Sequence, residues 1–262
     1  MAANDRLTHA PRWPERLWVV RHGQSAGNVA RDAAHDARLD RIALSQRDVD
    51  VPLSGLGEDQ SRALGQWFAA MPADERPTAV LVSPYVRAMQ TAALIRECGG
   101  VDADEPLCRD ERLREKEFGI LDGLTTQGVR NLQPEQAEFR RLLGKFYHRP
   151  PGGESWCDVI LRLRSVLDTI SLHHAGGRVL IVAHQVVVLC MRYIIESLDE
   201  QRILAIDAEG DVANCGVTDY RFDPDFGHQG GLVLDRYNLT APVEHERVPV
   251  TTAKDPPMAA RG

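Results

Sequence analysis

Arg16-Leu17-Trp18-Val19-Val20-Arg21-His22-Gly23-Gln24-Ser25-Ala26-Gly27-Asn28 is the stretch from which the rest of the chain can be read. Four consecutive apolar residues follow Arg16, a run that suits a strand covered on both faces. The run ends in a polar turn that carries Arg21 and His22. Open α/β sheets bind ligands beyond the carboxyl ends of their strands, so this turn predicts both the fold class and the edge on which a site would lie.

Working outward, similar runs recur at Ala79 to Ser83, Arg178 to Ala183, Val212 to Arg221 and Leu232 to Arg236, with the second and third of the five strands expected in the middle. Helical patterns lie between them at Ser54 to Met71, Val86 to Cys98, Glu154 to His174 and Val186 to Leu198. Ser54 reads as an N-cap, and Gly99-Gly100 as a stop. Val159, Ile160, Leu163, Val166, Leu167 and Ile170 share one helical face and read as core. Alternating β and α elements predict a three-layer αβα sandwich, a mostly parallel sheet with helices on both faces and an antiparallel edge. We expect an extension over residues 1–15 and one catalytic domain over 16–242. Residues 32–51, charged and Ala-rich without an apolar face, read as a surface insertion over the site, residues 125–150 as a cap, and 243–262 as a loosely ordered tail.

The 262 residues are 43% hydrophobic, enough for one buried core, and contain no continuous apolar stretch of membrane-spanning length. No apolar leader is visible at the amino end, and the five cysteines form no CxxC pair; both point to a cytoplasmic protein with reduced thiols. A net charge of −7 argues against general nucleic-acid binding, which needs a broad cationic surface. An anionic substrate would need a local pocket. Arginine supplies 28 of the 31 basic residues, which favours forked contacts to such an anion.

Gly23-Gln24-Ser25-Ala26-Gly27 also fits the G-x-S-x-G elbow of serine hydrolases. That elbow follows several strands and an oxyanion loop, and the 24 residues before Ser25 are too few to build them. His9, His35, His148, His173, His174, His228 and His245 show no zinc-ligand spacing, and neither a Walker loop nor a strand-linked GxGxxG occurs. No metal and no diffusible cofactor are expected.

Five segments in order carry a more specific signal: RHG at 21–23, SPYVRAMQTA at 83–92, LREKEFGILDGLT at 113–125, PGGES at 151–155 and VAHQ at 182–185. Together they resemble the histidine phosphatase superfamily, the phosphoglycerate mutase-like proteins, over most of residues 16–222. The resemblance implies a histidine acid-type phosphatase, a phosphoric monoester hydrolase. His22 would be the nucleophile, Arg21, Arg87 and His184 would surround the phosphoryl group, Asn28 would line the pocket, and Glu115 would donate the proton. Gln24 and Ser25 of the first motif, and Gln185 beside His184, are further candidates for phosphate contact.

The residue types suit that chemistry. Phosphoryl transfer spreads negative charge over three equatorial oxygens, which fixed cationic donors stabilise. An imidazole beside guanidinium groups keeps a bare nitrogen near neutral pH, and a carboxyl beside a phosphate dianion keeps its proton to give to a leaving alkoxide. Bland readings stand beside these: Arg87 on a solvated helix face, His184 as a core histidine, Glu115 in a charged surface run with Glu117 as rival.

Mutases of the family carry Trp before the first-motif Asn and an ERHYG segment, where this chain has Gly27 and Glu115-Lys116-Glu117-Phe118-Gly119. His184-Gln185 is closer to the fructose-2,6-bisphosphatase branch. Hydrolysis of a small phosphorylated substrate is therefore expected, against the alternatives of a cofactor-dependent phosphoglycerate mutase and a catalytically weak phosphate-recognising module. Arg140, Arg141, Tyr147, His148 and Arg149 either meet a second anionic group or face water. Gly216 to Tyr220 and Leu232 to Tyr237 form either an internal hairpin or an edge for a homodimer.

Overall fold

Two strands with alternating buried side chains generate the layers. Leu17, Val19, Val179 and Ile181 lie in one core cluster, and Trp18, Val20, Leu180 and Val182 in another on the opposite face. A computed structural model describes residues 12–227 and 229–252. Its elements are β1 (Arg16–Arg21), α1 (Ala26–Asp36), α2 (Gly55–Ala69), β2 (Ala79–Val82), α3 (Val86–Glu97), β3 (Leu107–Arg109), α4 (Thr126–Leu132), α5 (Pro134–Tyr147), α6 (Trp156–His173), β4 (Arg178–Ala183), α7 (Gln185–Ile195), α8 (Glu200–Glu209), β5 (Val217–Asp223), β6 (Gly231–Leu239) and α9 (Ala241–His245).

The six-stranded sheet has the order β3-β2-β4-β1-β5-β6. The first four in that order run parallel, and β5 and β6 form the antiparallel edge. Apolar residues of α6 and α7 cover one face, and those of α2 and α3 the other, so the chain is the expected αβα sandwich. Because β1, β2 and β4 are parallel neighbours, Arg21, Ser83 and His184 all emerge at the same carboxyl edge.

Several expectations shift. The central pair is β4 and β1, with β2 one place out. Strand pairing starts at Val217 rather than Val212, because Ala213 to Gly216 form a turn in which the Cys215 N–H donates to the carbonyl of Arg21. Of the expected insertion 32–51, residues up to Asp36 belong to α1; the remainder is irregular apart from a 3-10 turn at Asp48–Asp50. Residues 125–150 hold α4 and α5, the latter broken at Gly144, where φ is 79° and ψ 163°. The tail is held as far as residue 252. Val243 is buried, Gln60 Nε2 donates to the carbonyl of Pro249 at 2.8 Å, and Thr251 Oγ1 donates to Asn214 Oδ1 at 2.9 Å. Most of the extension, His9, His228 and residues 253–262 lie outside the described residues. Among the described residues, no helix is long and apolar enough to cross a membrane.

Candidate active site

His22 follows β1 directly, and its N–H continues the sheet by donating to the Ala183 carbonyl at 2.9 Å. The turn beyond it packs tightly on the start of α2. A Cβ on Gly23 would sit 2.4 Å from the Gly57 carbonyl oxygen, and one on Gly57 only 1.9 Å from that of Gln24, so neither position admits a side chain. Asn214 Nδ2 donates to the His22 carbonyl at 3.0 Å from the other side. The ring itself is 4% exposed. Its Nδ1 lies 2.7 Å from the Gly23 carbonyl oxygen, an acceptor only. The proton therefore sits on Nδ1 and leaves Nε2 with a bare lone pair. Burial, then the charges of Arg87 and Arg21, hold the ring's pKa well below the usual 6.5.

Arg87 enters from the first turn of α3. Its Nε donates to His22 Nε2 at 3.2 Å, Nη1 to the Asp48 carbonyl at 2.6 Å and Nη2 to the Asp48 carboxylate at 3.0 Å. Its guanidinium carbon stands 4.9 Å from the centre of the Tyr85 ring. His184 is the N-cap residue of α7, its ring centre 5.1 Å from that of His22. Its Nε2 lies 2.7 Å from Ser83 Oγ, while its buried Nδ1 has no partner among the described residues. Burial, followed by Arg87 and His22, also pushes this imidazole's pKa well down. Arg21 is anchored by donation from Nη1 to the Val212 carbonyl, and its buried Nε is likewise unpartnered. Burial lowers its pKa to about 10, which leaves it charged at neutral pH.

Glu115 sits on the loop after β3 and interacts electrostatically with Arg21 and Arg87. Burial raises its pKa above the usual carboxyl value, against the Lys116 N–H, which donates to Oε1 at 2.9 Å. The loop is clamped from α6. Arg162 donates to the carbonyls of Arg112 at 2.5 Å and Glu115 at 3.3 Å, and Glu154 accepts from Arg162, Arg114 and the Glu117 N–H. The rival Glu117 is 47% exposed and accepts from the Tyr85 hydroxyl at 3.1 Å. Thus Arg21, His22, Arg87 and His184 converge and Glu115 lies within electrostatic reach of both arginines, whereas Glu117 bonds the hydroxyl of Tyr85, whose ring packs on Arg87 and His184.

The secondary candidates divide. Ser25 is the N-cap of α1: its Oγ accepts from the Asn28 N–H, and Asn28 Oδ1 accepts from the Ser25 N–H at 2.9 Å, a reciprocal capping box. Ser25 thereby uses its hydroxyl on the helix, and among the described residues it bonds no histidine of the kind a serine nucleophile needs. Asn28 has its oxygen committed there and keeps only its NH2 group for a ligand. Gln24 Oε1 accepts from Ser54 Oγ at 2.8 Å, and Gln185 Nε2 donates to Asp211 at 2.8 Å, so both side-chain amides are anchored on the protein. Within residues 125–150, the exposed Arg141 pairs with Glu138, the exposed Arg149 with Asp158, and Tyr147 faces solvent. His148 is buried, and Arg140 lies near enough to it and to the buried Lys116 to reinforce the downward pKa shift that burial gives each, to about 8 for the lysine.

Sequence reading did not single out Asp48, Ser83, Tyr85 or Asn214, all of which touch the converging residues. Ser83 and Tyr85 precede Arg87 by four and two residues in the quoted SPYVR segment, and that proximity is the available signal.

Residues 17–232 match the family profile described as the histidine phosphatase superfamily, branch 1. The probable phosphoglycerate mutase GpmB of Yersinia enterocolitica is 28% identical over 178 residues, 67% of this chain and 72% of its own. The 6-phosphofructo-2-kinase/fructose-2,6-bisphosphatase of Caenorhabditis elegans is 31% identical over 179 residues, 68% of this chain but 33% of that longer protein. The VO3 complex of mycobacterial glucosyl-3-phosphoglycerate phosphatase superimposes with a TM-score of 0.64 at 25% identity, covering 86% of this chain and 98% of that one. The α-ribazole phosphatase of Shigella flexneri, at 20% identity and a TM-score of 0.66 over 86% of this chain and 96% of its own, shares the fold.

Proposed function

The chain belongs to the histidine phosphatase superfamily, and from that premise we propose that it hydrolyses a small phosphate monoester through a phosphohistidine on His22. The observation that carries this reading is the Nδ1–H···O=C bond to Gly23, which leaves Nε2 unprotonated, its lone pair accepting from Arg87 Nε. Nε2 attacks phosphorus as the bond to the ester oxygen breaks. Glu115 gives its proton to that oxygen and the alcohol leaves. The resulting carboxylate then takes a proton from water, whose oxygen displaces Nε2 and releases inorganic phosphate. Arg21, Arg87 and His184 offset the charge on the equatorial oxygens.

The opposed pKa shifts support the assignment of roles. With ordinary values, a neutral histidine and a protonated glutamate would coexist in fewer than about one molecule in a hundred at any pH. Burial lowers the His22 value and raises that of Glu115, which enlarges the population holding nucleophile and acid together. The orphaned Arg21 Nε and His184 Nδ1 add support, since buried polar atoms normally find partners and a phosphoryl oxygen would supply one.

The test is turnover of p-nitrophenyl phosphate by the wild type and by His22→Ala. Phosphate release that persists unchanged in the variant would end the nucleophile assignment. A mutase reading draws on the names of sequence relatives such as GpmB. Hydrolysis is favoured by Gly27, Phe118 and Gln185 standing where mutases differ. Incubation with 3-phosphoglycerate and a trace of the 2,3-bisphosphate separates the two: rapid formation of 2-phosphoglycerate would favour the mutase.

A further inference from the structure

We infer that Asp48 is the resident anion of the phosphate site, holding the Arg87 guanidinium until a phosphoryl group enters and then giving it up, and so weakening phosphate binding and easing product release. The inference rests on the reading of Arg87 as a phosphate ligand and goes beyond it. Its basis is the use of the fork. Nε is turned to His22 Nε2, Nη1 to the Asp48 carbonyl and Nη2 to the Asp48 carboxylate. All three nitrogens therefore already have acceptors. A phosphoryl group in reach of His22 Nε2 that takes a forked contact on Nε and either terminal nitrogen meets a nitrogen already paired with Asp48, whose carboxylate presents the same kind of oxygen.

Asp48 can yield its place. The Arg87 side chain is 6% exposed, so its charge needs a nearby anion, whereas that of Asp48 is 41% exposed and can turn to water. Asp48 also opens a three-residue 3-10 turn whose neighbouring ion pair, Arg47 with Asp50, is exposed. The chain is pinned on either side of the turn rather than within it, before it by the Ile42 N–H on the Gly123 carbonyl and the bridge between Arg41 and Leu124, beyond it by the buried Val51 and the bridge between Leu53 and Ser25. A carboxylate on a short surface turn can exchange with a dianion at little structural cost. The exchange keeps Arg87 paired: as phosphate arrives, the Asp48 carboxylate passes to solvent.

The test is calorimetric titration of inorganic phosphate into the full-length wild type, Asp48→Asn and Asp50→Asn, alongside p-nitrophenyl phosphate kinetics. Asp48→Asn keeps the backbone carbonyl and the side-chain volume but removes the competing charge. Its phosphate Kd should fall about five-fold, the size expected for one half-exposed ion pair, and KM should fall without a rise in kcat. Misfolding cannot mimic such a gain in affinity. Asp50→Asn removes a charge from the same turn without touching Arg87 and should gain distinctly less. Unchanged or weaker phosphate binding by Asp48→Asn, an equal gain by Asp50→Asn, or no phosphate binding by any of the three proteins would overturn the inference. Failure of the phosphatase reading would register separately, as phosphate binding without turnover in the wild type.

Discussion

Arg87 Nε stands 3.2 Å from His22 Nε2, so the nitrogen proposed to accept phosphorus is hydrogen-bonded by a residue proposed to bind phosphate. The contact keeps the imidazole neutral and aimed, and it obliges the guanidinium to move onto the incoming oxygens before attack. A planar fork can make that transfer while remaining paired, and an ammonium cannot. Arg87→Lys, which keeps the charge and loses the fork, should lower kcat/KM for p-nitrophenyl phosphate by about 10²-fold or more. Near wild-type turnover would show that charge alone suffices.

Glu115→Gln removes the proton but retains shape. Loss should depend on the leaving group, because an alkoxide needs protonation and a nitrophenolate departs without it. We expect kcat on an alkyl phosphate to fall by about 10²–10⁴-fold and on p-nitrophenyl phosphate by much less. Burial raises the Glu115 pKa, so in the wild type kcat/KM should fall as pH rises through that elevated value, and this limb should vanish in the variant. Equal losses on both substrates would argue that Glu115 is not the acid.

The clamp on the Glu115 loop gives a prediction of another kind. Glu154 accepts from Arg162 and Arg114, and neither Glu154 nor Arg162 is more than about an eighth exposed. Glu154→Gln leaves the Arg162 charge uncompensated and should cost about 3 kcal/mol of unfolding free energy in a denaturant titration. It should also lower kcat more than it raises KM, since it frees the loop that carries the acid while leaving the phosphate ligands in place.

What was legible in the sequence was local. β1, β2 and β4 are short continuous apolar runs, α6 has an unbroken apolar stripe, and Arg21, His22, Arg87, Glu115 and His184 each sit inside a segment whose order could be matched. Of the elements that escaped notice, α8 buries Ile203 and Ile206, but α1, α5 and β3 have little apolar signal of their own. α1 buries only Ala34, α5 only Phe146, and β3 is a three-residue edge with two exposed positions. Asp48 and Asn214 reach the site through tertiary approach, from a 3-10 turn and from the loop before β5. Neither lies in a segment whose spacing reports that approach. Ser25 and Gln185 neighbour reactive residues; that Ser25 Oγ caps α1 and Gln185 Nε2 donates to Asp211 are contacts of the fold that spacing alone does not report.

Ser25→Ala tests that distinction. Losing an N-cap costs about 1 kcal/mol and, in a chain of this size, about 2–4 °C of Tm. Turnover should stay within a few-fold of wild type, because His22 and its partners keep their bonds. A loss of activity as deep as that of His22→Ala would instead point to the serine as a nucleophile.

Protonation of the buried imidazoles should set the acid limit of stability. His22 and His184 have pKa values held well below 6.5, chiefly by burial, while in the unfolded chain they titrate near 6.5. Above that value both states carry neutral rings and their stabilising contribution is fully present. Between the folded and unfolded values the unfolded chain binds more protons, so stability falls as pH drops, by up to about 1.4 kcal/mol per pH unit for each ring. His148 and His174 shift the same way and add to the total, so the discriminating quantity is a difference between proteins. His184→Gln keeps a polar group beside Ser83 and removes one titrating ring. Denaturant unfolding at several pH values between 8 and 5 should give this variant a shallower decline than the wild type below pH 6.5. Parallel declines would mean that His184 is not held neutral by its burial against Arg87 and His22.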